Sequence, residues 1–97
     1  MEVGVARPEA VFRALADPTR REIIKLLRTR SMASGEIAER FDSAWPTISR
    51  HLGVLKAAGL IVAERDGNSI RYELDATVLQ EVVEHIMDWT KTGGNHA

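Results

Sequence analysis

Residues 43–60 read SAWPTISRHLGVLKAAGL. The stretch has two faces. Ile48, Leu52 and Leu55 recur at i, i+4 and i+7, the apolar stripe of an amphipathic helix. At about 100° of rotation per residue, Arg50, Gly53 and Ala57 point away from Ile48, with Thr47 and Ser49 beside them. On a solvated face the glycine is a pure loss, about 1 kcal/mol against alanine in a helix interior. In a DNA groove it is useful, because a missing side chain lets the helix backbone come close. Arg50 has the fork that fits guanine O6 and N7, and it can equally hold a phosphate. Thr47 and Ser49 suit phosphate or base edges, and Trp45 can pack on sugar or on a thymine methyl. The plain alternative is a solvated surface, and Gly53 weighs against it.

The helix has legible ends. Pro46 belongs in the first turn, where its missing N–H is harmless. A proline there disfavours a helical Trp45, so the start lies at Ser43 or later. Ala58-Gly59 closes it. Upstream, Ser34 is placed to cap a short third helix containing Ile37, Ala38 and Phe41, broken by Asp42-Ser43. Asp17-Pro18 opens the second helix, with aspartate as cap and proline at the first helical position. Its buried face is Ile23, Ile24, Leu26 and Leu27, and Arg20, Arg21, Lys25 and Arg28 fill its remaining surface. Pro8 starts a first helix near 8–16 with Val11, Phe12, Leu15 and Ala16 on one side.

Downstream, LIVAER (60–65) and IRYEL (70–74) flank Asp66-Gly67-Asn68, which predicts a β-hairpin. A fifth helix near 76–92 carries Leu79, Val82, Val83, Ile86 and Met87 and ends near Gly93-Gly94. Residues 1–7 and 93–97 read as loose tails. The predicted fold is mainly α with a small β-hairpin, in the order α-α-α-α-β-β-α, over a single domain 1–97. A short helix, a tight break and an amphipathic helix make a helix-turn-helix, and the hairpin after it is a wing.

Composition agrees. Hydrophobic residues are 44% of the 97 and charged residues 28%, as in a globular domain. There is no cysteine, which rules out disulfides and thiolate metal sites. No apolar run reaches the roughly 20 residues of a membrane span, and the expected compartment is the cytoplasm. The net charge is −1, yet it is unevenly placed. Residues 43–72 hold Arg50, Lys56, Arg65 and Arg71 against Glu64 and Asp66. Residues 73–97 hold Lys91 against Glu73, Asp75, Glu81, Glu84 and Asp88. A locally positive surface can therefore face phosphate despite the neutral total. At the wing, Arg65, Asn68 and Arg71 are candidate DNA contacts, and a plain surface hairpin is an equal alternative.

Catalysis has little support, with no nucleophile elbow and no glycine-rich phosphate loop. His51 lies beside the inward stripe and reads as a half-buried structural residue. Glu81, Glu84, His85 and Asp88 share the fifth helix at spacings that let them meet. One histidine among carboxylates is a poor zinc set, so a metal- or ligand-responsive sensor is kept as the alternative. The first and fifth helices are terminal and apolar. Pairing them in a homodimer would bury Val11, Phe12, Leu15, Leu79, Val82, Val83, Ile86 and Met87 and would present two reading helices to two half-sites.

Three stretches together, FRALADPTRREIIKLL (12–27), SGEIAERF (34–41) and PTISRHLGVLKAAGLIVAERDGNSIRYEL (46–74), resemble the ArsR-type winged-helix repressors. The resemblance runs from about Val11 to Trp89. It implies a homodimer made by the first and fifth helices, with the fourth helix in the major groove. It implies repression, often of the protein's own operon, on double-stranded DNA. Carried over by position, the family's contacts fall on Ser34, Trp45, Thr47, Ser49 and Arg50. The wing arginine of relatives is replaced here by Asn68. The places of the family's metal ligands are Ala33 and Gly35 at the third helix, and Ala76, Val78, Trp89 and Thr92 on the fifth. None is a good ligand, so the chain is similar to the metal-free, SdpR-like autorepressors, with no cofactor. In that branch derepression comes from a protein partner or another inducer.

Overall fold

The computed structural model describes residues 7–91. The expected tails, apart from Arg7 at the entry to the first helix, and Thr92 lie outside them. The chain runs α1 (Pro8–Ala14), α2 (Pro18–Leu27), β1 (Met32–Ala33), α3 (Ser34–Ala38), α4 (Trp45–Ala57), β2 (Ile61–Asp66), β3 (Ser69–Leu74) and α5 (Ala76–Asp88).

The α1–α2 junction is built from two opposed caps. Asp17 Oδ1 accepts from the N–H groups of Thr19 at 2.8 Å and Arg20 at 3.1 Å, closing the start of α2. Partial burial pushes the Asp17 carboxyl up, but these two backbone donors chiefly outweigh it and hold it below its ordinary value. The end of α1 is closed from the other side. Arg20 Nε donates to Ala14 O at 2.6 Å, and Arg21 Nη1 donates to Leu15 O at 2.8 Å. These arginines were expected to be plain surface. They instead satisfy carbonyls that a helix end leaves without partners. Helix α1 stops at Ala14, two residues short of expectation, because Leu15 and Ala16 form the turn into Asp17.

The wing contains a strand that the sequence does not announce. Met32 and Ala33 pair with Tyr72 and Arg71, giving an antiparallel sheet in the order β1-β3-β2. Two residues are too few to show alternation. In the hairpin, Ile61 pairs with Leu74 and Asp66 with Ser69, which leaves Gly67-Asn68 as a two-residue loop. Gly67 has φ 63°, as the first position of a tight hairpin turn requires. Ser34 was expected to cap α3. It is instead its first residue, and Ala33 holds the cap position. Phe41 lies beyond the end of α3, in the turn that follows.

Helix α4 ends in a Schellman motif. Leu60 N–H bonds Leu55 O, and Gly59 N–H bonds Lys56 O, both at 3.0 Å. Gly59 takes φ 82°, and Leu55 and Leu60 are both fully buried beside it. The core joins Ile23 and Leu27 of α2, Ile37 of α3, Ile48, Leu52 and Leu55 of α4, and Ile61 of β2. Helix α5 starts at Asp75, whose Oδ1 accepts from Thr77 and Val78. It ends at Asp88, well before the glycine pair that was expected to stop it. From Trp89 to Lys91 the N–H groups bond three residues back rather than four, and Thr90 Oγ1 donates to Met87 O at 2.7 Å.

Leu55→Ala leaves a cavity under α4 and is expected to cost about 2–5 kcal/mol, measured by urea unfolding. Acid should act through Asp17. Its folded-state pKa is depressed, so its contribution is complete above the ordinary value of 3.8 and is lost as pH falls through the folded value. Asp17→Asn keeps a capping oxygen but cannot titrate there. The stability gap between wild type and Asp17→Asn should therefore hold at neutral pH and close on acidification below about 4. A gap unchanged in acid would rule out the depressed carboxyl.

Candidate nucleic-acid interface

Helices α3 and α4 are joined by the turn 39–44, and α4 is followed directly by the wing. The inward side of α4 is completely committed. Ile48, Leu52 and Leu55 are buried, and His51 is only 7% exposed. The outward side is bare. Trp45 is 49% exposed, and Ser49, Arg50 and Gly53 are exposed, while Thr47 is half-buried. Trp45 is already helical, at the first position, with Ala44 before it and Pro46 in the first turn. No side chain caps this start. An uncapped helix N-terminus favours an anion such as a phosphate.

Arg50 makes no hydrogen bond or ion pair with another described residue, which leaves its fork available. A Cβ added to Gly53 would meet nothing within 4 Å. The glycine is therefore not required by packing within the protomer.

The other DNA candidates divide. Ser34 is half-buried at the first position of α3. Arg65 on β2 and Asn68 in the hairpin loop are exposed. Arg71 behaves differently from the expectation of a tip contact. Its Nε donates to Ser31 Oγ at 3.0 Å, and its Nη atoms lie 3.8 Å from Glu36 and 3.9 Å from Asp66. It braces the wing against the segment before α3. Glu36 is the hub of that brace. Its carboxylate accepts from Ala33 N–H at 2.9 Å and from Arg30 at 3.3 Å. The Ala33 bond first, then Arg30 and Arg71, hold it below the ordinary glutamate value.

The set expected for dimerisation also divides. Val11 and Val82 are buried in the protomer's own core, and Phe12, Leu15 and Leu79 are half-buried against it. Val11 and Val82 are therefore corrected from interface to core. Their apolar spacing fits either role, and α1 packing on α5 decides it. Val83, Ile86 and Met87 are exposed on α5, with Trp89 beyond its end at 61% exposed. Trp89 was missed as an apolar surface residue. Its ring lies 5.9 Å from Phe12 and 5.5 Å from His85.

The alternative metal group does not assemble. Among the described residues no three His, Cys, Asp or Glu side chains come together. Glu81 has one oxygen enclosed and unbonded, His85 stacks on Trp89, and Asp88 pairs with Lys91 at 3.4 Å. Among the described residues no helix is long and apolar enough to cross a membrane.

A helix-turn-helix with a braced wing and one bare polar helix face defines a winged-helix DNA-binding regulator. A helix-turn-helix domain profile matches residues 15–64. The chain is 44% identical to the transcriptional repressor SdpR of Bacillus subtilis, over 88% of this chain and 94% of that one. Among solved structures it is similar to an ArsR-like transcriptional regulator from Rhodococcus sp. RHA1, with TM-score 0.76 and 30% identity over 84% of this chain and 76% of that one. A second, the crystal structure of an ArsR family transcriptional regulator, gives TM-score 0.79 and 27% identity over 84% and 89%. The chain belongs to the ArsR family of DNA-binding transcriptional regulators.

Because Gly53 is exposed and unpacked, Gly53→Ala should stabilise the folded protein by about 1 kcal/mol through helix propensity alone. Thermal unfolding measures this, and a lower melting temperature would mean that the glycine serves the fold after all.

Proposed function

We propose that the protein is a homodimeric repressor that binds an inverted-repeat operator, including one at its own promoter, without a resident metal. The observation that carries this is α4, buried along one side and bare along the other. Trp45, Thr47, Ser49, Arg50 and Gly53 form the surface that enters the major groove. Arg50 supplies the base-reading fork or a phosphate clamp, and Gly53 supplies the clearance. Ser34, Arg65 and Asn68 lie on the flanks for phosphate contacts, which carry affinity but little sequence information. Arg71 supports the wing instead of touching DNA.

The pairing surface is the exposed apolar strip of Val83, Ile86 and Met87, with Trp89 and Phe12 beside it. Large apolar side chains exposed together along one helix face suit a protein–protein contact. A two-fold pairing through it would set two α4 helices facing one side of the duplex. The lack of ligand residues at Ala33, Gly35, Ala76 and Val78, together with the dispersed Glu81, His85 and Asp88, supports a signal other than metal.

Footprinting on the region upstream of its own gene locates the operator. Arg50→Ala should weaken operator binding roughly 5- to 150-fold, the range of one good bidentate base contact. Gly53→Ala should weaken it too, although it firms the fold. Wild-type affinity in both variants would remove α4 from the interface. Met87→Asp should shift the protein from dimer to monomer in light scattering at micromolar concentration, and an unchanged mass would move the pairing surface elsewhere.

A further inference from the structure

Arg20 lies on α2, at neither the DNA face nor the exposed strip of α5, yet its guanidinium touches both neighbouring elements. Nε donates to Ala14 O at 2.6 Å, and Nη2 donates to Arg13 O at 3.2 Å. Both carbonyls belong to the last turn of α1. Nη1 lies 3.2 Å from His51 Nδ1 on α4. An arginine can only donate, so His51 Nδ1 accepts and the ring carries its proton on Nε2. One planar fork therefore ties the end of α1 to a buried ring on α4.

The placement of His51 gives that tie its meaning. It follows Arg50 directly and is nearly buried, with Ile48 and Leu55 on the same inner side. The stripe of aliphatic side chains fixes which face of α4 is buried but supplies no directional bond that sets the helix's register along the core. Among the described residues, the Arg20–His51 contact is the hydrogen bond that joins an α4 side chain to another helix. Its rigid geometry fixes a direction as well as a distance. The far end of the fork is anchored on α1, which packs against α5 and so on the surface proposed for subunit pairing.

We propose that Arg20 is a positioning residue for DNA reading, acting through His51. It holds the register of α4 relative to α1, and hence the placement of Thr47, Ser49 and Arg50 in the groove. This rests on the reading of α4 as the DNA-contacting helix. Misplaced α4 helices still carry their positive charge, so loss of the tie should lower affinity for the operator more than for unrelated duplex.

Two substitutions at one site separate positioning from packing. His51→Leu keeps a buried apolar volume but removes the acceptor. His51→Gln keeps an oxygen that can accept from Arg20. Operator and unrelated duplex are titrated by fluorescence anisotropy at several salt concentrations, with melting temperature measured for each variant. His51→Leu is expected to lose roughly tenfold in operator affinity with little change on unrelated duplex, and His51→Gln to restore most of it. Arg20→Ala should lose as much as His51→Leu, and the double variant no more than either alone. In wild type, nitrogen NMR of the imidazole should show an unprotonated Nδ1. Wild-type operator binding by His51→Leu, equal weakness in His51→Gln, or additive losses would overturn the proposal. Arg50→Ala measured alongside tells the two readings apart. If it binds more weakly while His51→Leu does not, only the Arg20 tie fails. If it also binds like wild type, the α4 reading fails and the tie with it.

Discussion

The burial of Ile48, Leu52 and Leu55 is the interaction on which the rest depends. A helix of thirteen residues with one buried stripe has its rotation fixed by that stripe. Fixing the rotation decides which residues are bare. Trp45, Ser49, Arg50 and Gly53 face outward because the core has claimed the other side, and the same core is built from α2, α3 and β2. The surface proposed to face DNA is thus a by-product of packing, which sets its rotation.

The fold was legible wherever one residue type signals one geometry. Asp17-Pro18, Ala58-Gly59 and Asp66-Gly67-Asn68 mark their boundaries through capping, positive φ and turn chemistry, and the structure uses each of them. The periodicity of α4 also sufficed. What stayed hidden depends on partners distant in sequence. Strand β1 exists only because β3 arrives to pair with it. The division of the α5 face into Val82 inside and Val83 outside follows from where α1 lies, which spacing alone does not encode. Helix α5 ends early through a threonine hydroxyl bonding Met87 O, a weaker signal than the glycines that follow.

The candidate site shows the same division. The exposure of Arg50 and Gly53 was legible because their helix is amphipathic. The internal contacts of Arg71 were not legible, because an arginine next to a hairpin looks alike whether it reaches out or folds back. Its bond to Ser31 spans forty residues of chain. Arg20 was overlooked for the same reason. On a helix diagram it is one cation among four, and only the proximity of α1 and α4 gives it acceptors.

Leu60 carries a consequence for how this chain can vary in length. Its N–H closes α4 at Leu55 O, its own carbonyl accepts from Asp75 N–H at 2.8 Å, and β2 begins at the next residue. Helix, strand and the start of α5 are thus spliced at a single peptide. One inserted residue between Leu55 and Ile61 would break the closing bond and have to bulge out at the splice, because the two-residue hairpin loop holds β2 in register with β3. The turn 39–44 carries no such splice and lies mostly exposed. Among sequences of this architecture, insertions and deletions should therefore collect between α3 and α4 and be absent between α4 and β2.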